Sequence, residues 1–143
     1  MNAASIHFSN KIMQSYKEAM KPLTRKYNIS PTMADIILFL ANNPQYKLAK
    51  DIVEVRAIKA NLVSMNLERM EKEGFATIEI SQTDRREKKI TLTNKTKEII
   101  AEGRKLQAVF FDQLFADIDK DDLDTFFSVF ARIEQNAEKN DPA

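Results

Sequence analysis

Asp84, Arg85 and Arg86 stand together between two stretches of alternating polarity, residues 76–81 and 89–93. Residues 81–97 hold six Lys/Arg against two acids, Lys88 among the cations, and few apolar side chains to justify them structurally. Arginine is always charged and presents a planar fork of donors, and at the tip of a hairpin it fits a narrow minor groove, where negative potential is enhanced. A second constellation precedes this one. Residues 58–65 read Ile-Lys-Ala-Asn-Leu-Val-Ser-Met. With Val63 and Leu67 turned to a core, Lys59, Asn61, Leu62, Ser64 and Met65 face outward on the first turns of a helix. Lysine addresses a phosphate or a guanine edge, asparagine an adenine edge, and leucine or methionine a thymine methyl. The plain alternatives are a solvated helix face and a turn with a weak local ion pair. The adjacency of the two constellations favours the nucleic-acid reading.

Helices must carry these groups. Ile6, Phe8, Ile12, Met13, Tyr16, Met20 and Leu23 recur at helical spacing and predict a first helix over about residues 5–26, kinked or ended early by Pro22. Ser30 followed by Pro31 predicts an N-cap and a second helix over residues 31–42, with Ile36, Ile37, Phe39 and Leu40 turned inward. Leu48, Ile52, Val53 and Val55 suggest a short third helix over residues 48–55. A tight turn then leads to a fourth, with Val63, Leu67 and Met70 inward and Gly74 as its left-handed cap. Short helix, turn, helix and hairpin form a winged helix-turn-helix. An isolated two-stranded hairpin is marginal, so the wing must lean on its helices. A fifth helix, capped by Thr93 or Asn94, runs to about residue 116, and a sixth follows Asp119 or Asp121. Six of the nine phenylalanines lie between residues 110 and 130. Helices with apolar stripes this long call for a partner, and a symmetric dimer is the commonest solution. The expected fold class is mainly α with a small β-hairpin wing, a winged helix-turn-helix core flanked by long dimerisation helices. Its core spans residues 30–97, and residues 1–29 and 98–143 form the helical dimerisation region.

The bulk properties exclude much. The 143 residues are 43% apolar, with no cysteine, one histidine and two glycines. Disulfides, thiol redox sensing and the usual zinc ligand sets are therefore not expected. Neither is an enzyme, because a nucleophile–base pair and a glycine-rich phosphate loop are both missing. No cofactor is expected. No apolar run is long enough to span a bilayer, and no charged n-region with a short apolar block opens the chain, so a cytoplasmic protein is expected. The net charge of +1 hides an asymmetry. Residues 1–44 hold five Lys/Arg against two acids, residues 45–105 fourteen against ten, and residues 106–143 three against nine. The middle of the chain suits an anionic partner and its last third does not.

The run from Leu48 to Lys97 resembles the MarR family of bacterial and archaeal transcription regulators. The resemblance rests on Arg69-Met70-Glu71-Lys72-Glu73-Gly74-Phe75, on Thr83-Asp84-Arg85-Arg86 and on Ile90-Thr91-Leu92-Thr93. The first of these is common to many winged helices; the Asp-Arg-Arg segment with its Leu-Thr sequel is more specific. The resemblance implies an intertwined homodimer on a pseudo-palindromic double-stranded DNA operator, a repressor released by a small aromatic or anionic ligand. It puts residues 59–65 at the start of the recognition helix and makes Arg85 and Arg86 the wing pair, one in the minor groove and one held by a carboxylate. It implies an effector pocket between the dimerisation helices and the core, lined by residues such as His7, Lys11, Tyr16, Ile37 and Leu40. Three features depart from the family pattern: Asn66 stands where an apolar residue is usual, Thr96 replaces a frequent glycine, and the wing lacks the customary extra Asp and Pro. Two rival functions remain in view, a winged-helix docking module that binds no DNA and a DNA-binding regulator without an effector.

Overall fold

The computed structural model describes residues 3–140, with side chains from residue 8 onward. Its first helical stretch is two helices, α1 (Ala3–Ala19) and α2 (Lys21–Tyr27). They part at Met20, two residues before Pro22, which has no amide proton to continue the first helix, and the Met20 carbonyl accepts from the amides of both Leu23 and Thr24. Asn28 ends α2 in the left-handed region at φ 50°, which asparagine tolerates better than most residues. α3 (Pro31–Asn42) starts where expected: the Ser30 Oγ accepts from the Met33 amide at 3.0 Å. Met33, Ala34 and Ile36 to Leu40 are all buried, so α3 is enclosed on most sides and forms the centre of the core.

α4 (Ala49–Glu54) is held at its start by Asp51, whose carboxylate accepts from the amides of Lys47 and Leu48. α5 (Ala60–Lys72) buries Val63, Leu67 and Met70 at helical spacing. It ends at Gly74, at φ 82°, with the Phe75 amide reaching back to the Met70 carbonyl and the Gly74 amide to that of Glu71. This double bond-back is the Schellman arrangement, and it turns the chain straight into the wing.

The wing pairs β1 (Ala76–Ile80) with β2 (Lys88–Leu92) in antiparallel register, Ala76 opposite Leu92 and Ile80 opposite Lys88. It is less isolated than its sequence suggests. Leu48 bridges to Lys89, and the Ile90 amide donates to the Lys47 carbonyl at 2.8 Å. The segment before α4 thus adds a short third edge, so the hairpin hydrogen-bonds to the body as well as packing on it. A 3₁₀ turn, Asn94–Thr96, leads into α6 (Lys97–Leu114). Thr93 caps by backbone only; its hydroxyl donates to the Gly74 carbonyl at 2.6 Å and closes the base of the wing. Thr96 is buried, with its hydroxyl bonded to the Thr93 carbonyl. α6 lies against α3 at Gly103, where a Cβ would come within 2.7 Å of the Leu38 side chain.

The chain divides into two compact units, residues 1–110 and 111–143. The second contains the end of α6 and α7 (Lys120–Glu138), which starts at Asp119 as expected. Within it Phe115, Phe126, Phe127 and Phe130 form a ladder of rings 5.4–5.9 Å apart, yet no residue of α7 is buried. Among the described residues no helix is long and apolar enough to cross a membrane.

Candidate nucleic-acid interface

Burial of Val63, Leu67 and Met70 fixes which side of α5 faces out. Lys59, Asn61, Leu62, Ser64 and Met65 are all exposed, Met65 at 64%. One helical turn therefore offers a cation, an amide, a hydroxyl and two apolar side chains to solvent. Single exposed apolar side chains are ordinary, but here two of them sit among polar groups of the kind that can read base edges.

The turn ahead of α5 is strained. Ala57 adopts φ 63°, a left-handed conformation that costs a non-glycine residue about 1–2 kcal/mol. Beside it, the Arg56 guanidinium pairs with Asp35 on α3 at 3.2 Å, both side chains about a quarter exposed. Burial pushes the Asp35 carboxyl above its ordinary value, and Arg56 pulls against that. Further along α5, Asn66 binds Ser30, the cap of α3, at 2.9 Å. The residue that departs from the expected apolar type thus has a specific polar partner.

At the wing tip, Asp84 Oδ1 accepts from the Arg86 amide at 3.0 Å and from Arg86 Nε at 3.4 Å. The Ser81 hydroxyl accepts from the amides of Thr83 and Asp84, so the tip is a bonded turn. Asp84 therefore pairs with Arg86, while Arg85 is exposed and engages no carboxylate among the described residues. Lys88 is half-buried at the root of β2, opposite Ile80. Lys50 of α4 pairs with Glu87 at 3.7 Å and ties the tip end of the wing to the helix pair.

The residues expected to line an effector pocket do not converge. The His7 side chain lies outside the described residues. Lys11 is exposed, Ile37 is fully buried in the core, and Leu40 borders a groove shared with Tyr46 and Lys47. Of the four described ones, only Tyr16 lines a cleft of about 560 Å³ between α1, α2 and the start of α3, together with Met20, Lys21, Thr32 and Asp35. Gln107 donates to the Tyr16 hydroxyl at 2.8 Å, and burial raises that hydroxyl above its ordinary value. Sequence reasoning missed Asp35. Its signal was available: one acid inside the otherwise apolar run from Met33 to Leu40.

Comparison with known proteins agrees with this geometry. The model of the MarR family matches residues 27–87, from the end of α2 to the wing tip. Among solved structures, the chain is similar to MarR itself, with 18% identity, a TM-score of 0.74 and coverage of 97% of this chain and 92% of that one. It is similar to a transcriptional regulator assigned to the MarR family from Listeria monocytogenes, solved with a 26mer DNA, at 10% identity, TM-score 0.80 and 96% coverage of both chains. It is also similar to the heme sensor PefR from Streptococcus agalactiae, solved with heme, at 23% identity and TM-score 0.55, covering 93% of this chain and 90% of that one. Residues 27–87 are thus similar to the MarR family, and over nearly its whole length the chain has the fold of the solved MarR-family regulators.

Proposed function

We propose that this protein is a sequence-specific DNA-binding repressor that acts as a homodimer on a pseudo-palindromic operator. The observation that carries the reading is the outward display of Lys59, Asn61, Leu62, Ser64 and Met65 on the first turns of α5, followed by a wing whose tip exposes Arg85. α5 enters the major groove. Asn61 reads an adenine edge, Leu62 and Met65 press on thymine methyls, and Lys59 and Ser64 take a phosphate or a base edge. Arg85 reaches the adjacent minor groove, Arg86 is held by Asp84, and Lys88 meets the backbone. The partner subunit is recruited by the exposed apolar face of α7, where Phe126, Phe127, Phe130 and Ile133 are each 46–57% exposed. The DNA-bound relative from Listeria monocytogenes supports groove binding by this fold.

Selection from a pool of random duplexes tests this. The expected product is an inverted repeat with half-site centres about 10 base pairs apart. Recovery of no sequence, or of a single unrepeated half-site, contradicts it.

Release by a small ligand belongs to the same proposal. The cleft that Tyr16 and Asp35 share is roomy and mixed in polarity, and Lys21 on its wall suits an aromatic anion. The heme-bound relative supports effector binding by this fold. A ligand selective for the native state raises the unfolding midpoint, so a thermal-shift screen of aromatic acids is the matching experiment. Absence of any stabilising acid, with operator binding intact, leaves a regulator set by its own abundance.

A further inference from the structure

Three polar ties hold α5 to the segment that runs from α2 into α3. Arg56 pairs with Asp35 just ahead of the helix, and Arg69 donates to the Asn28 carbonyl at 3.2 Å near its end. Asn66 makes the third, in the middle. Its Nδ2 donates to the Leu62 carbonyl at 2.8 Å. A carbonyl only accepts, so this bond fixes the amide with Oδ1 turned to Ser30. The Ser30 Oγ already accepts from the Met33 amide at 3.0 Å, so its own proton goes to Asn66 at 2.9 Å. The bonds run head to tail from the backbone of α3 to the backbone of α5, and such chains reinforce each other. They end on Leu62, inside the turn that carries Asn61, Leu62, Ser64 and Met65. The buried face of α5, Val63, Leu67 and Met70, packs into the apolar core, and apolar contact is non-directional, so it resists separation better than rotation. Hydrogen bonds are directional.

We propose that Asn66, acting through Ser30, is a positioning residue that sets the rotation of α5 about its axis and thereby its base preference. The inference rests on the DNA-binding function proposed above. It explains a polar side chain at a half-buried helix position.

The test measures affinity for a selected operator and for a scrambled duplex, beside the unfolding midpoint, for wild type, Asn66→Leu, Ser30→Gly, the double variant and Ser30→Thr. Glycine is still an adequate N-cap, so Ser30→Gly removes the hydroxyl at little cost to α3. Asn66→Leu and Ser30→Gly are each expected to lower the operator-to-scrambled ratio about fivefold, the scale of one net hydrogen bond. Affinity for scrambled DNA and the midpoint stay close to wild type. The double variant is no worse than either single, because both break one chain. Ser30→Thr keeps the hydroxyl and the ratio. A folded Asn66→Leu with an unchanged ratio overturns the inference, as do losses that simply add in the double variant. If Asn66→Leu does not fold, the contrast between Ser30→Gly and Ser30→Thr decides in the same way. A wild type without operator preference removes the DNA-binding reading itself, and this inference with it.

Discussion

Arg85 and Arg86 are adjacent in sequence and unequal in structure. Arg86 has its amide bonded to Asp84 and its Nε 3.4 Å from the same oxygen, while Arg85 has no carboxylate partner among the described residues. Arg85→Ala should therefore weaken operator binding more than Arg86→Ala and reduce the salt slope by about one, without unfolding either variant. Titration of both by fluorescence anisotropy checks this, and unchanged affinity in both removes the wing from the interface. The two kinds of contact proposed for the helix and wing separate in the same assay. Asn61→Ala should lose about 1–3 kcal/mol on the operator and change base preference there, whereas Lys88→Ala should weaken operator and random DNA alike. At this scale the exposed set from Lys59 to Met65 was legible from helical spacing alone, because Val63 and Leu67 dictate which side is inward. The partners of the polar residues were not. Asn66 meets Ser30 at a separation of 36 positions, and Arg56 meets Asp35 from beside a turn whose Ala57 takes a conformation alanine rarely adopts. No local pattern encodes pairs of that kind.

The elements were legible where a residue has a single backbone consequence. Pro22 divides the first helical stretch, Ser30 with Pro31 starts α3, and Gly74 ends α5, each for the reason its chemistry gives. What escaped notice was the short edge at Lys47 and Leu48. One or two residues of strand have no period to detect, and only the strand they join reveals them. Gly103 is a similar case, one small residue in a helix whose meaning depends on Leu38 and Leu23 opposite. Leu38 is buried and has nowhere to move, so Gly103→Val should destabilise the fold by roughly 1–3 kcal/mol. Chemical denaturation measures it, and a variant as stable as wild type would mean that α6 does not approach α3 this closely.

For the molecule as a whole, the division of charge and of apolar surface points one way. The cations are concentrated in residues 45–105, which form the helix pair and the wing, while residues 106–143 are acidic and carry phenylalanines that the chain alone leaves exposed. An acidic, apolar helix suits a protein partner and repels DNA, so the proposed DNA contact and the proposed dimer contact fall on different parts of the chain. Sedimentation at micromolar concentration should accordingly give about twice 16.5 kDa. Phe130→Asp with Ile133→Asp should give a folded monomer, because both side chains project from a helix that has no buried residue. A wild-type monomer contradicts the dimer, and with it the inverted repeat. The central claim, sequence-specific DNA binding, is tested most directly by the salt dependence of affinity for the selected operator beside a scrambled duplex. Operator affinity should fall roughly a thousandfold between about 50 and 200 mM salt and stay well above that for scrambled DNA at every salt concentration. Equal affinity for the two duplexes throughout, or affinity for neither, would contradict it.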